Sequence, residues 1–427
     1  MKIELKKNFH FLKSTLLISL VKFSSAILSY LFLILVTRKF GAEESGIFFL
    51  AFTILTFLSV VSRFGLDNTI LKNVSIFFEI KENKNINYIL SKIIILIIIL
   101  NVIIILFLSL NVDILQLIFK KKNIEQILII ILPVALFVNL NFIFSNYFQA
   151  INKKLTSLFC LNFFSNVLII FFLIVKKFDS IFEFSLFFLL SNIISLFISL
   201  SLFFFYKKNR IIFKIPSLKL IKDSSSYYFY ILISQLNLWL GTLVVGFFET
   251  SENIAYYSAA HRSSLILILI LSSINIITAN KFANLISNGD RIKLSQLVYA
   301  STIISLLISF PVIILFLFFS EYIMGFFGHD FIKSAIILKI ITVGQIFNIL
   351  TGPVGNILSM SHYQNDLRNV GIISFIFSVL SSIILVKYYG IIGAAVSFAS
   401  YLIIQNLLLA ICVKKRFGIK VLAIKYF

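Results

Sequence analysis

The amino-acid sequence predicts an all-α polytopic membrane protein, with twelve transmembrane helices arranged in two pseudo-symmetric six-helix bundles. Three observations support this fold class: the composition, the length of the apolar runs and a repeat in their spacing. Of the 427 residues, 60% are hydrophobic and 13% are charged, whereas soluble domains average about 45–50% apolar and about 25% charged residues. The composition therefore excludes a soluble globular enzyme, and its many Phe, Ile and Leu residues exclude a disordered chain.

The apolar runs have the length of membrane-spanning helices, which need about 20 mostly apolar residues to cross the hydrocarbon. The first run follows a basic N-terminus but is too long for the core of a signal peptide, so it is predicted to be a membrane span. The connecting segments are too short to hold a folded domain outside the membrane. The predicted spans are 14–36, 46–66, 89–110, 124–147, 155–175, 183–206, 226–248, 256–279, 295–318, 334–358, 366–387 and 390–413.

The spacing of the spans indicates an internal duplication. Adding 209 residues to the first six spans reproduces the second six to within a few residues. Because each half has an even number of spans, the two halves have the same orientation, as in transporters built from parallel repeats. We therefore predict an N-terminal lobe at 1–206, a cytoplasmic connector at 207–225 and a C-terminal lobe at 226–427.

The distribution of Lys and Arg predicts the orientation. With a cytoplasmic N-terminus, the inside segments carry 24 Lys and Arg residues and the outside segments carry 9, which agrees with the positive-inside bias. Both termini are then cytoplasmic. This bias also accounts for the net charge of +21 without a nucleic-acid partner. The outside segment with Lys120, Lys121 and Lys122 agrees least well with the bias.

Five cationic residues fall inside or at the edges of the spans. A charged side chain in mid-membrane costs at least about 2.5–3.5 kcal/mol, so it is a candidate for a functional role. None of the 17 Asp and Glu residues lies deep in a span, so an anionic ligand such as phosphate or pyrophosphate is favoured. We predict that Lys22, Arg63, Arg262 and Lys339 bind substrate, and we interpret Lys92 as interfacial.

Structural roles for the same cations remain open. Lys22 and Arg262 could extend along the apolar surface to the interface as anchors. Arg63 has Asp67 one helical turn further on and could form a local ion pair with it. Polar residues within spans, including Asn139 and Trp239, are compatible either with hydrogen bonds between helices or with the lining of a sugar-binding path.

Two motifs associated with energy supply or catalysis are absent from the sequence. There is no Gly-x-x-x-x-Gly-Lys phosphate-binding loop and no His-x-x-Glu-His metal site. We therefore expect no catalytic residues, no bound metal, no cofactor and no enzymatic activity.

Four short segments have recognisable patterns: Arg38–Gly46, with its R-x-x-G-x-x-x-x-G spacing, Phe64-Gly65-Leu66, Ala255–Arg262, and Gly390–Ala395 with a G-I-x-G-A-A pattern. They resemble segments of the bacterial polysaccharide and O-antigen flippases, a family in the multidrug/oligosaccharidyl-lipid/polysaccharide exporter superfamily. The resemblance extends over essentially the whole chain, although each motif is short.

The resemblance implies a flippase of the bacterial cytoplasmic (inner) membrane. Such a protein moves an undecaprenyl-pyrophosphate-linked oligosaccharide, an O-antigen or capsule repeat unit, from the inner to the outer leaflet by alternating access around a cationic cavity. The first, second, seventh and eighth spans are expected to face that cavity. The implied partners are the lipid-linked oligosaccharide, membrane lipids and the polysaccharide polymerase machinery.

Three alternatives remain. A membrane-embedded polysaccharide polymerase or ligase would use the same lipid carrier, but the outside loops here are short for such an enzyme. A multidrug extruder of the same superfamily is disfavoured because no carboxylate lies deep in a span. A peptidoglycan-precursor flippase usually has additional helices beyond the twelfth.

Overall fold

A computed structural model describes residues 2–206 and 218–421, and within these ranges the regular secondary structure is entirely helical. The all-α prediction is confirmed. The helices are α1 Lys2–Arg63, α2 Leu66–Glu79, α3 Asn83–Leu110, α4 Val112–Phe119, α5 Ile124–Ile131, α6 Val134–Ala150, α7 Lys154–Leu158, α8 Phe164–Val175, α9 Ile181–Tyr206, α10 Leu218–Phe248, α11 Ser251–Ser287, α12 Arg291–Phe318, α13 Ser320–Gly325, α14 Ala335–Thr351, α15 Val354–Ser359 and α16 Gln364–Phe417. A π-helical turn, Phe159–Phe163, joins α7 to α8, and a 3₁₀ turn, His329–Ser334, precedes α14.

The predicted twelve-span arrangement agrees with these helices. Nine helical segments in the described ranges are long and apolar enough to cross a membrane, and Leu232–Phe248 is a shorter apolar helix. Two of the nine contain two predicted spans each. The kinks within them lie at Gly41 (φ 71°) and Gly390 (φ 58°). Glycine tolerates a positive φ without the steric penalty that a Cβ would introduce.

The structure differs from the sequence interpretation at several helix boundaries. Residues 37–45 lie between the first two predicted spans, but they are helical on both sides of Gly41. The tenth span was predicted to continue to residue 358, whereas α14 ends at Thr351 and Gly352 has a positive φ of 71°. The short helices α2 and α4, which follow α1 and α3, were not predicted because they lie outside the long apolar runs.

The chain forms two compact units. The first consists of Met1–Phe40 and Ala51–Leu232, and the second of Gly41–Leu50 and Ile233–Phe427. Part of the predicted connector, residues 207–217, lies outside the described residues. The segment Gly41–Leu50 packs within the second unit, where a Cβ added to Gly46 would lie 1.8 Å from the Ser251 carbonyl oxygen.

The first unit contains an extended apolar core formed mainly by α2, α3 and α6. A buried polar network lies between α1, α3 and α6. The Asn139 side-chain amide donates to Ser62 Oγ at 2.8 Å and to Asn101 Oδ1 at 2.9 Å, while Ser59 Oγ donates to Asn139 Oδ1 at 2.5 Å. These contacts satisfy polar groups that are buried among apolar side chains, and such hydrogen bonds fix helix positions in membrane proteins.

In the second unit, α14 packs against α11, α12 and α16. The carboxylates near helix ends are paired with neighbouring cations. Asp366 at the start of α16 accepts from Arg416 near its end at 2.8 Å and 3.2 Å. Asp290 caps the N-terminus of α12 by accepting from the backbone N–H of Lys293 at 3.1 Å.

Candidate functional site

Arg262 on α11 lies in an aromatic environment. Its guanidinium carbon is 4.8 Å from the centroid of the Trp239 ring and 5.5 Å from that of Phe49, and the side chain is partly exposed. Contact with ring faces holds a guanidinium by cation–π attraction. A planar guanidinium stacked in this way can still present N–H groups at its edge to an anion.

The turns on either side of these residues carry buried polar atoms. On α10, Asn237 Oδ1 and Thr242 Oγ1 are buried and have no hydrogen-bond partner within the described chain, and the same holds for Ser258 Oγ on α11. An unsatisfied buried polar group costs about 1–3 kcal/mol, so a group of them needs an explanation in ligand binding or solvation. Ser258 is one turn before Arg262 and therefore lies on the same face of α11.

His261, the residue before Arg262, is fully buried. Its ring lies 4.7 Å from the Phe398 ring and 5.7 Å from the Tyr257 ring, between centroids. Neither ring nitrogen has a hydrogen-bond partner among the described residues. Tyr257 is one helical turn before His261, whereas Phe398 is distant in sequence and its contact with the histidine is seen only in the tertiary structure.

Arg63 is the last residue of α1. Its guanidinium carbon is 3.8 Å from the centroid of the Phe142 ring on α6, and its Nη1 atom is buried without a hydrogen-bond partner in the part of the chain described. The interpretation of Arg63 and Asp67 as a pair within one helix is wrong. The helix ends at Arg63, and Phe64 (φ 47°) and Gly65 (φ 72°) turn the chain before α2 begins.

Asp67 is instead in the first turn of α2 and interacts electrostatically with Arg63 across that turn. The turn is also held by Tyr228, whose ring stacks on Phe64 with 4.4 Å between centroids. Arg63 therefore contacts an aromatic ring and interacts electrostatically with a carboxylate, whereas the described contacts of Arg262 include two aromatic rings.

The two candidate lysines are in different environments. Lys22 on α1 is exposed, and Lys339 on α14 is partly buried. Within the described ranges, neither ammonium group has a hydrogen-bonding or ionic partner. Their surroundings are therefore compatible both with binding an anion and with anchoring at the membrane surface.

Lys92 on α3, which the sequence places near the interface, is buried within the protein. Its side chain is only 5% exposed, and its Nζ atom lies 3.9 Å from the centroid of the Tyr88 ring. The position of Lys92 along its span indicates its depth in the membrane, whereas its burial in the protein depends on packing against neighbouring helices. Lys92 is thus a buried cation that the sequence analysis did not select as a candidate.

Metal binding has no structural support in the part of the chain that is described, where no group of three His, Cys, Asp or Glu side chains could hold an ion. The acidic residues with defined contacts are involved in local structure at helix ends. For example, Glu183 near the start of α9 pairs with Lys176 at 2.5 Å. The charged side chains in contact with aromatic rings are cations.

Comparison with protein families gives two matches. A family model described as polysaccharide biosynthesis protein matches residues 11–279, and the MatE family model matches residues 230–384. Among curated proteins, the chain is 24% identical over 191 residues to the probable low-salt glycan biosynthesis flippase Agl15 of Haloferax volcanii. That match covers 44% of this chain and 40% of the relative, so less than half of the relative's length is matched.

Solved structures show the same fold over nearly the whole chain. The lipid II flippase MurJ in an inward closed conformation matches with a TM-score of 0.77 and 21% identity, covering 94% of this chain and 89% of that one. An inward-facing multidrug resistance MATE transporter of the MOP superfamily matches with a TM-score of 0.78 and 14% identity, covering 94% and 96%. At these identities the likeness concerns the fold alone.

Proposed function

The chain belongs to the polysaccharide biosynthesis protein family of the MOP superfamily, and from this premise we propose that it is a flippase for a lipid-linked oligosaccharide. The substrate is an oligosaccharide on an undecaprenyl-pyrophosphate carrier, an O-antigen or capsule repeat unit. It moves from the inner to the outer leaflet of the bacterial cytoplasmic membrane by alternating access. Both termini are cytoplasmic, and the protein catalyses no covalent reaction.

The observation that carries the proposal is the environment of Arg262. A guanidinium against two aromatic rings, with buried polar atoms on adjoining turns, suits a ligand with an anionic group and hydroxyl groups. Arg binds phosphate oxygens through paired N–H donors. The indole of Trp239 also offers an apolar surface of the kind that packs against a sugar ring.

The other cations extend this argument. Lys22 and Arg63 in the first unit, and Lys339 in the second, add positive charge, and of these Arg63 also interacts with the carboxylate of Asp67. Arg63 resembles Arg262 in lying against an aromatic ring, 3.8 Å from Phe142. We assign these three residues, with Arg262, to binding of the pyrophosphate during passage.

Deletion of the gene tests the function. Lipid-linked repeat units should accumulate on the inner leaflet while surface polysaccharide disappears, and the intact gene should restore both. Accessibility of the units to a membrane-impermeant glycosidase or oxidant locates the leaflet. Single, unpolymerised repeat units exposed on the outer surface would instead indicate a polymerase.

A second candidate function, export of multidrug substrates, is favoured by the MatE match at residues 230–384. The cations near aromatic rings argue against it, because cationic drugs require a negatively charged site. Loss of drug resistance on deletion, with surface polysaccharide unchanged, would establish that second function and refute the first.

A further inference from the structure

We propose that the segment between the third and fourth membrane spans, Val112–Lys122, binds the phosphate headgroup of an anionic phospholipid. This segment comprises helix α4 and the three lysines that follow it, and we call it the α4–lysine segment. The inference is independent of the transported substrate, because it concerns a lipid of the surrounding bilayer and uses none of the candidate cations above.

The α4–lysine segment lies between two membrane-spanning helices. Lys84–Leu110 and Ile124–Ala150 are both apolar enough to cross a bilayer, with mean hydropathies of 3.5 and 2.6 in their most apolar windows. An eight-residue helix is only about 12 Å long, far less than the roughly 30 Å of the hydrocarbon core. The segment therefore lies at a membrane–water interface, on the outer side in the predicted topology.

Helix α4 has the surface of an interfacial helix. Ile114 is 52% exposed and Leu117 is 72% exposed, whereas Val112 and Phe119 pack into the protein. Apolar side chains exposed on one side of a short helix, followed by basic residues, are typical of helices that lie at the level of the lipid headgroups. The exposed apolar side of α4 would then contact acyl chains.

A cavity of about 610 Å³ combines this apolar surface with the basic residues. It is lined by Asp113, Gln116, Leu117, Lys120, Lys121 and Lys122. Three ammonium groups and one carboxylate give it a net positive charge, which is complementary to a phosphodiester. Leu117 provides an apolar wall beside the charged residues, where an acyl chain attached to the headgroup could leave the cavity.

The backbone brings the lysines back toward α4. Lys120 has a φ of 50° and Asn123 a φ of 59°, so two non-glycine residues adopt the left-handed conformation on either side of Lys121 and Lys122. Lys120 ends α4 in the left-handed conformation that is common at helix C-termini, and Asn is one of the residues that adopt it most readily. Both residues are part of the turn that forms one wall of the cavity.

The topology supplies a second, independent reason. These three lysines account for a third of the 9 basic residues predicted outside, and they depart most from the positive-inside bias. Basic residues near a membrane are attracted to anionic lipid headgroups. Binding of such a headgroup would explain why a cluster of lysines is found on this side.

The test measures lipid retained by the purified full-length protein. The protein is reconstituted in phosphatidylcholine nanodiscs that contain increasing fractions of phosphatidylglycerol. It is then released into mild detergent, and native mass spectrometry quantifies the phosphatidylglycerol that stays bound. The variant K120Q/K121Q/K122Q should bind about tenfold less tightly or worse. The control K153Q/K154Q/K281Q removes the same charge from exposed sites elsewhere on the protein and should bind as the wild type does.

A second variant separates the two parts of the cavity. L117N keeps every lysine but removes the apolar wall, so it should weaken retention of phosphatidylglycerol while leaving the charge unchanged. Equal retention by the wild type and the triple lysine variant would overturn the proposal. Displacement of phosphatidylglycerol by millimolar inorganic phosphate would indicate a site for soluble phosphate. Retention of only a pyrophosphate-linked isoprenoid would assign the segment to the transport path. Either result would refute the phospholipid assignment.

Discussion

Replacing Arg262 with Gln is the most direct test of the proposed substrate site. The substitution keeps a polar side chain of similar length but removes the positive charge and most of the N–H donors. A hydrogen bond to a charged group contributes about 1.5–3 kcal/mol. Loss of one such interaction, about 2 kcal/mol, predicts a roughly 30-fold weaker affinity for the pyrophosphate group.

The effect on folding should be much smaller. In the free protein the guanidinium contacts Trp239 at 4.8 Å and Phe49 at 5.5 Å on a partly exposed side chain. Such contacts are worth about 0.5–1 kcal/mol at exposed sites. Removal of a charge from a membrane span also favours insertion. Arg262→Gln should therefore reach the membrane at the wild-type level.

The assay is restoration of surface polysaccharide in the deletion strain, with the amount of protein in the membrane measured in parallel. Arg262→Lys should retain part of the function, because it keeps the charge but loses the planar, bidentate geometry. Arg368→Gln is the matched control. It removes one arginine from an exposed position, where the guanidinium lies 3.5 Å from the side-chain oxygen of the neighbouring Asn369. The reasoning is refuted if Arg262→Gln, present at normal levels, restores polysaccharide as fully as Arg368→Gln does. The wider assignment of Lys22, Arg63 and Arg262 fails if all three alanine variants export normally.

Three further predictions concern the fold and topology. Gly46→Ala should destabilise the protein by about 1–3 kcal/mol, because its Cβ would lie 1.8 Å from a carbonyl oxygen. The control Gly371→Ala, with no atom within 4 Å of the new Cβ, should be neutral. Thermal unfolding in detergent compares the stability of the two variants. Asn139→Ala removes the buried hydrogen bonds to Ser59, Ser62 and Asn101 and should lower the free energy of unfolding by about 1–3 kcal/mol; equal midpoints for variant and wild type would show that these hydrogen bonds are dispensable. Single cysteines are introduced at the exposed positions Glu43 and Asn288 in a background without the two native cysteines. A membrane-impermeant thiol reagent should label position 43 from outside and position 288 from the cytoplasm. The reverse pattern would contradict the predicted topology.

The motifs behind the family resemblance include residues that set the backbone, and this explains why the resemblance predicted the fold well. Gly41 and Gly390 are at the kinks between consecutive spans, and Gly65 is in the left-handed turn between α1 and α2. Ala255 is fully buried on α11. These residues determine where helices bend and how closely they pack, whereas the nature of the ligand depends on other side chains.

The environments of the cations were only partly predictable. Depth along a helix was the only measure available from the sequence, and it did not reveal that Lys92 is 5% exposed, because burial depends on contacts with helices that are distant in the chain. Helical periodicity gave Arg63 and Asp67 one continuous helix, but the left-handed residues Phe64 and Gly65 end it.

The sequence by itself determined that this protein is a helical membrane protein of twelve spans, because hydrophobic length and composition are local properties that each segment carries alone. Its short motifs indicated the family. The tertiary structure decided which polar groups share an environment: Arg262 with Trp239 and Phe49, and Arg63 with Phe142. Helices in a membrane pack along faces whose side chains lie about one turn apart. Many neighbours of a buried residue therefore come from other helices. Hydropathy indicates whether a segment enters the membrane. Which helices it packs against depends on the shapes of the side chains and on hydrogen bonds across the whole unit.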